Sequence, residues 1–425
     1  MGLTSTLYSG ISGLQTNAEA MSVTGNNISN SNTIGYKSSS TVFSDMLSAT
    51  ISSTSTSVNQ VGRGSELTTV RSNFSQGSFQ STSSDTDLAI EGDGFFMLSA
   101  PTSDEMVYTR NGAFNFDANG YLVNADGYRV QGQLFDADGT PGGGDPEDIQ
   151  IDLTSQVPAQ ETTNIVLTTN LNSGEEVISG GFDLSDPAGS SNYSTSTQIY
   201  DALGETHLAT TYFTKTDDQT WEWNTVVDSA DLDPSVASSE ELTVIGSGTL
   251  TFDDDGQLIG DNAFDLDTTT LMWANGADST QNIAIEFDTT QFSSSSVVFS
   301  QNQNGYAPGE VVETSINSDG VVSVSYSNGE TLDIATITLA TFSNPGGLVK
   351  EGNSLYSASS YSGEPQIGTP GASQGIIYTN SLELSNVDLS QEFVDMITIQ
   401  NGYSASSKVI TTTDEMLQEV INLIR

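Results

Sequence analysis

Apolar residues recur along this chain with two periods, and the change of period divides it. Leu7, Ile11, Leu14, Ala18, Met21, Gly25 and Ile28 are spaced alternately by four and three, and only Gly25 is not apolar. That spacing returns a seam to one face every seven residues, as in a coiled-coil-like helix. At the other end Leu389, Met396, Tyr403, Ile410, Leu417 and Ile424 recur at intervals of seven, with Phe393, Gln400, Ser407, Asp414 and Ile421 between them. Thr4 or Ser5 suits the first helix as a cap, and the asparagine-rich Asn26–Gly35 stretch suits its end. Ser385 and Asp388 fit a capping box ahead of the second. Helices over residues 5–30 and 387–424 would run for about 39 Å and about 57 Å.

Between residues 75 and 363 the period falls to two. "VVSVSYSNGETLDIATITLATF" (Val321–Phe342) alternates apolar and polar residues around an Asn-Gly turn, as a hairpin does. Asn111-Gly112, Asn119-Gly120, Asp126-Gly127, Asp138-Gly139, Asp255-Gly256 and Asp319-Gly320 repeat the turn signal. "FDANGYL" (Phe116–Leu122) and "FDDDGQL" (Phe252–Leu258) share one form. Residues 38–60 hold thirteen Ser or Thr in 23 and read as a solvated linker, with a packed extended connector as the alternative. A chain of 425 residues exceeds one globular core, so two or three domains are expected.

Charge sharpens this division. Nine Lys and Arg stand against 55 Asp and Glu, a formal charge of −46. Such a surface repels phosphate, which argues against nucleic acid and anionic membranes as partners. It suits a salty medium, where charges are screened beyond about 10 Å. The ends carry little of it. Residues 1–35 hold only Glu19, and residues 381–425 hold seven acids against Lys408 and Arg425. Two amphipathic helices of an ordinary bundle would explain the pattern. Weak repulsion at the ends favours the other reading, helices that pair with each other and with further copies. Gln400, Ser407 and Asp414 would then set register at some cost in stability. Isolated helices are marginal in water, so both ends are expected to be poorly ordered in the monomer and helical on assembly.

The composition withholds most catalytic chemistry. There is no cysteine, hence no disulfide, thiolate site or cysteine nucleophile. No stretch approaches the ~20 apolar residues of a membrane span, and the N-terminus lacks the basic flank and compact apolar core of a secretory signal. His207 is the sole histidine. It follows a turn at the start of a strand, with no nucleophile elbow around it, and is expected on the surface or half-buried rather than as a catalytic base. No phosphate-cradling glycine loop with a following lysine occurs. Trp221 and Trp223 share a strand face and read as core rather than as a sugar platform. "DADGTPGGGD" (Asp136–Asp145) lacks the spacing and the late glutamate of an EF-hand loop. No enzyme, cofactor or metal site is expected; paired carboxylates remain the one hydrolytic option among 55 acids.

Several stretches resemble one family. "NNISNSNTIGYK" (Asn26–Lys37) is similar to the motif ending the N-terminal helix of bacterial flagellar axial proteins, the rod, hook and hook-junction subunits. "LAIEGDGFFML" (Leu88–Leu98) with "YTRNGAFNFDANGYLVNADGYRVQG" (Tyr108–Gly132), and "SNVDLSQEFVDMITIQNGYSASSKVITTTDEMLQEVINL" (Ser385–Leu423), resemble the same family. "NGYAPG" (Asn304–Gly309), found with "FSNPGGL" (Phe342–Leu348), and the large central insert resemble its hook subunits, as does "TQIYDALGETHLATTYFTK" (Thr197–Lys215). The resemblance implies a mainly β, multi-domain subunit with nested, discontinuous domains. Residues 1–35 with 386–425 would form a helical polymerisation domain, coiled-coil-like, whose interface is the seam named above. Residues 36–75 with 364–385 would be a connector, 76–155 with 297–363 a β-rich domain, and 156–296 an inserted outer β domain.

It also implies a tubular homopolymer at the extracellular hook of the flagellum, flexible and curved, passing torque from rod to filament and export substrates through its bore. Its partners would be its own copies, the rod, hook-cap and hook–filament junction proteins, and the type III export apparatus, which needs no cleavable signal peptide. A distal rod subunit and a secreted β-rich adhesin are the competing readings.

Overall fold

The structure is a computed structural model of the chain. It describes residues 2–423 apart from 54–57, 102, 104, 137–141, 153–155, 267–270, 278–280 and 372–373. Among the described residues α-helix is confined to the two ends, α1 (Gly2–Ser29) and α2 (Leu389–Leu423). α1 starts ahead of Thr4 and Ser5, so both lie inside its first turn rather than capping it. It runs on through Asn26 and Asn27. α2 is capped by Asp388, whose Oδ1 accepts from the amides of Ser390 (2.8 Å) and Gln391 (3.3 Å). A carboxylate there satisfies orphan amides and meets the positive end of the helix dipole.

The chain divides into two compact units. The first comprises residues 1–153, 314–324 and 332–425, and the second 154–313 and 325–331. In the first, an antiparallel run joins Arg129–Leu134 to Phe95–Ser99, then to Met106–Thr109, Leu355–Ser357 and Val349–Gly352. Its aromatic core sets Phe95, Tyr108, Phe342 and Tyr356 edge to face. Such pairs contribute beyond their buried area. Residues 38–60, expected as a solvated linker, instead supply strands. Ser39–Asp45 pairs antiparallel with Ser65–Ser72 in a two-stranded ribbon, and Ala49–Ser53 pairs with Val58–Val61. Ser/Thr content misled because threonine, β-branched, suits a strand as readily as a loop once a partner strand is available.

The second unit holds two sheets. One orders Ala263–Asp265, Ala284–Phe292, Asn164–Asn172 and Val297–Gln303, with a parallel central pair. The other is an antiparallel meander of Tyr193–Tyr200, Thr206–Asp217, Thr220–Asp228, Leu242–Phe252 and Leu258–Ile259. Ile165, Leu167 and Phe287 from the first sheet and Phe213, Trp221 and Trp223 from the second share one buried cluster. Both tryptophans are therefore core. Residues 297–303, read from the sequence with the inner domain, pair with Asn164–Asn172 and belong here. A strand at a domain edge carries no mark of which sheet it will join.

Four of the expected hairpins close by one device. Asp117 Oδ1 accepts from the amides of Asn119 and Tyr121, and Asp253 Oδ1 from those of Asp255 and Gln257. Asn124 and Asn317 do the same. The glycine third from each, at φ +76° to +83°, takes the left-handed position. These side chains are engaged by their own backbone. Half of "DADGTPGGGD", residues 137–141, lies outside the described residues.

Candidate assembly interface

α1 and α2 pack antiparallel. A Cβ added to Gly10 would stand 2.9 Å from Ile410 Cγ1, one on Gly13 2.7 Å from Ser406 Oγ, and one on Gly402 2.6 Å from Asn17 Oδ1. Further along, Asn27 Nδ2 donates to Glu392 Oε1 at 2.8 Å. The α1 face in use is Gly10, Gly13, Asn17, Ala20, Thr24 and Asn27. It precedes the apolar seam by one residue, about 100° around the helix. On α1 the contact thus lies beside the expected seam, while on α2 it takes in the seam residue Ile410. Small side chains let the backbones approach closely, and the larger apolar ones are left beside the contact.

The seam residues are distributed accordingly. On α1, Leu7, Leu14, Met21 and Ile28 are half-buried, while Ile11 and Ala18 are exposed. On α2, Met396, Ile410 and Leu417 are half-buried, whereas Leu389, Phe393, Tyr403 and Ile421 are exposed. Phe393 retains 51% of its accessible surface and Ile421 61%. Ile424 lies outside the described residues. Among the described residues of α2 only Thr413 is fully buried. The sequence reading missed a second exposed apolar set on α2, Val394, Ile397, Met416, Val420 and Leu423, with Val409, which also reaches Gly10. The heptad spacing of Val409, Met416 and Leu423 was its signal. Burying one such side chain contributes roughly 1.5–3 kcal/mol, so this surface is a strong drive to association. The helices are formed and paired in the single chain, unlike the expectation of order only on assembly. The close small-residue contact supplies packing that the exposed seam does not.

The Asn26–Lys37 motif does more than stop a helix. Asn27 is buried. Its amide donates to Ser39 O (2.7 Å) and Glu392, and its Oδ1 accepts from Ser39 N (2.9 Å) and the Tyr36 hydroxyl (3.3 Å). One asparagine thereby joins the end of α1, the start of the ribbon and the first turn of α2. Burial pushes the Glu392 carboxyl up; the Asn27 amide opposes this and the Asp395 charge adds to it. Burial likewise raises the Tyr36 phenol, helped by Glu392.

The ribbon is a third surface that the sequence reading passed over. Val42, Phe43 and Val70 on its strands, and Met46 and Leu47 beside them, are exposed. Leu47 retains 89% of its surface. Arg63 and Arg71 lie on the same segment. The other cations are mostly engaged. Lys37, Arg110 and Lys215 are buried, Arg129 pairs with Asp148 at 2.8 Å, and Lys350 donates to Ser39 Oγ. Among the described residues Arg63, Arg71 and Lys408 are left exposed and in no ion pair.

His207, expected on the surface or half-buried, is buried. Its ring stacks on Trp273 at 3.7 Å and lies between Asp201 (3.4 Å from Nε2) and Asp231 (3.3 Å from Nδ1). Burial pushes the Asp201 carboxyl up, but the Asn275 amide, the Glu205 backbone amide, His207 and the Leu203 amide together hold it below the ordinary range. This is a packed polar core of the second unit. Among the described residues no group of three or more His, Asp or Glu is placed to hold a metal ion, and no helix is long and apolar enough to cross a membrane.

Four family profiles match in chain order. They are "Flagella basal body rod protein" over residues 7–37, "Flagellar hook protein FlgE/F/G D1 domain" over 89–170, "Flagellar basal body protein FlaE D2 domain" over 167–306 and "Flagellar basal body rod FlgEFG protein C-terminal" over 378–423. The flagellar hook protein FlgE of Borreliella burgdorferi is 35% identical over 450 residues, spanning 98% of this chain and 99% of that one. Its counterparts in Salmonella typhimurium and Escherichia coli K12 are each 34% identical over 419 residues, spanning 97% of this chain and 98% of theirs. The chain belongs to the flagellar hook protein family. The crystal structure of Helicobacter pylori flagellar hook protein FlgE2 shares its fold, with a TM-score of 0.51 at 17% identity, over 71% of this chain and all of that one. Within the hook family matches, the terminal profiles cover most of α1 and all of α2, and the D2 profile lies within the second unit.

Proposed function

We propose that this chain is the structural subunit of a bacterial flagellar hook, and that it polymerises through α1, α2 and the adjoining ribbon. One observation carries the interface assignment: α2 keeps two sets of large apolar side chains in water after α1 has been packed against it. A monomer has little reason to expose so many large apolar side chains on one helix. In the polymer, the seam residues from Leu7 to Ile28 and from Leu389 to Ile424 meet neighbouring copies around a central bore. The second unit corresponds to the inserted domain.

Charge supports this arrangement. The second unit holds 27 acids, and its one lysine, Lys215, is buried with its ammonium on Ser173 O (2.6 Å) and Glu175 O (3.1 Å). A surface of that kind is tolerable where neighbours are separated by water and salt, and costly at a close-packed axis. Outer contacts that are polar and wet would slide as the tube bends. The rod, hook-cap and hook–filament junction proteins are the expected neighbours at its ends, and the type III export channel its route out of the cell.

Electron microscopy of the assembled chain tests this reading. Curved tubes are expected. Straight rigid ones would indicate a distal rod subunit, and monomers that retain surface binding after deletion of residues 389–425 would indicate an adhesin.

A further inference from the structure

Lys37, Gly77, Arg110 and Glu383 come from four separate stretches and meet at one buried point. Glu383 Oε1 accepts from Lys37 Nζ at 2.7 Å and from the Gly77 amide at 2.8 Å, and Oε2 lies 3.5 Å from Arg110 Nη1. Lys37 also donates to Ser75 O (2.8 Å) and Arg110 to Gly92 O (2.8 Å). Gly77 permits the approach, since a Cβ there would stand 2.0 Å from Leu384 O. Around this point the C-terminal segment is bonded into N-terminal backbone. The Gly35 amide donates to Glu383 O (2.8 Å), Ser38 N to Asn386 Oδ1 (2.8 Å), and Asn386 Nδ2 to Asn73 O (2.8 Å).

The charges here are uneven: two buried cations share one buried carboxylate. Asp93 acts on Arg110 only from outside ion-pair contact. Without residue 383 in place, Lys37 and Arg110 would occupy the same buried site with no anion in contact, which is strongly unfavourable. We propose that Glu383 is a closing pin: the β body of the first unit and the helix pair lock together only once the C-terminal segment has been threaded in, so the assembly surface is completed last. The second unit is nearly continuous in sequence and does not depend on this pin. The proposal rests on reading the helix pair as the assembly surface.

The chain supplies its own probes. Both α-helices lie in the first unit, and all three tryptophans, Trp221, Trp223 and Trp273, lie in the second. Urea unfolding of the full chain, followed at 222 nm and by tryptophan fluorescence, separates the two. Glu383→Gln is expected to lower the 222 nm midpoint at least twice as far as Lys37→Met, because Lys37→Met leaves one cation with one anion. The fluorescence midpoint should stay in place. Hydrogen exchange at the peptide containing Gly77 should quicken at least tenfold in Glu383→Gln. Lys37→Met/Glu383→Gln, with one like charge fewer, should recover part of the loss, and it serves where Glu383→Gln alone does not fold. Equal midpoint shifts for Glu383→Gln and Lys37→Met, or a fluorescence midpoint that moves with the 222 nm signal, would overturn the pin. Polymerisation of the unaltered chain is read separately, and its failure would strike the assembly reading instead.

Discussion

The two units solve opposite problems. The second is an almost uninterrupted stretch whose buried apolar residues, Trp221 and Trp223 among them, form one cluster, while others such as Leu203 and Phe299 stay exposed. The first is assembled from three stretches, includes both ends of the chain, and leaves much of α2 in water. Exposed large apolar side chains are densest on α2, in the first unit. Apolar surface left exposed in a chain of charge −46 is a statement about a partner, because everything around it has been made soluble.

That contrast can be broken most severely at Tyr403. Its side chain is exposed on α2, so Tyr403→Asp leaves the intramolecular contact alone. The monomer should keep both its 222 nm and its fluorescence transitions, and polymerisation should be lost, since an unpaired charge in a packed interface costs several kcal/mol, about 2–5. Normal tubes would refute the interface assignment. Met396, already half-buried in the single chain, is a less clean probe.

Trp223→Ala attacks the other side of the comparison. It should cost about 3–5 kcal/mol, read as a lower midpoint of the Trp221/Trp273 fluorescence transition, with the helical signal unmoved. Simultaneous loss of both signals would mean the units do not fold independently.

Gly13→Val tests how the helices meet. A Cβ at Gly13 already falls 2.7 Å from Ser406 Oγ, so a larger side chain must force the pair apart at about 1–3 kcal/mol. The helical midpoint should drop while Tyr403→Asp, at the outer face, leaves it unchanged. No difference between the two variants would place the contact elsewhere.

The smallest effect concerns pH and the first unit's β body. Burial raises the Asp148 carboxyl, but donors on Ser99, Arg129 and Gln131, with the Arg129 charge, outweigh it and hold it below the ordinary range. A depressed carboxylate contributes stability above its unfolded pKa and loses it as the pH falls through the folded value. Its contribution should therefore be present at neutral pH and fade below about pH 4. Asp148→Asn should remove that acid-labile increment, under about 1 kcal/mol because the pair is partly solvated. The check is the 222 nm midpoint from pH 6 to pH 3; an unchanged slope would discard the assignment.

Much of this protein was legible in its sequence because the signals were local. Heptad spacing marked α1 and α2, alternation and Asp-Gly or Asn-Gly dipeptides marked the β body, and Asp388 marked a helix start. These depend on neighbours within a few residues, where backbone geometry is dictated by side-chain type. The motifs in the terminal helices and the β body carried the family resemblance for the same reason. Only tertiary structure decided which stripe of α1 meets α2, that Val297–Gln303 joins Asn164–Asn172, that the serine-rich stretch finds strand partners, and that Asn27, Lys37 and Glu383 tie one end of the chain to the other. Each depends on residues far apart in sequence, and their pairing energy exists only after the chain has brought them together. Periodicity states that a helix has an apolar face; which face its own partner takes, and which is left for another molecule, is settled by packing.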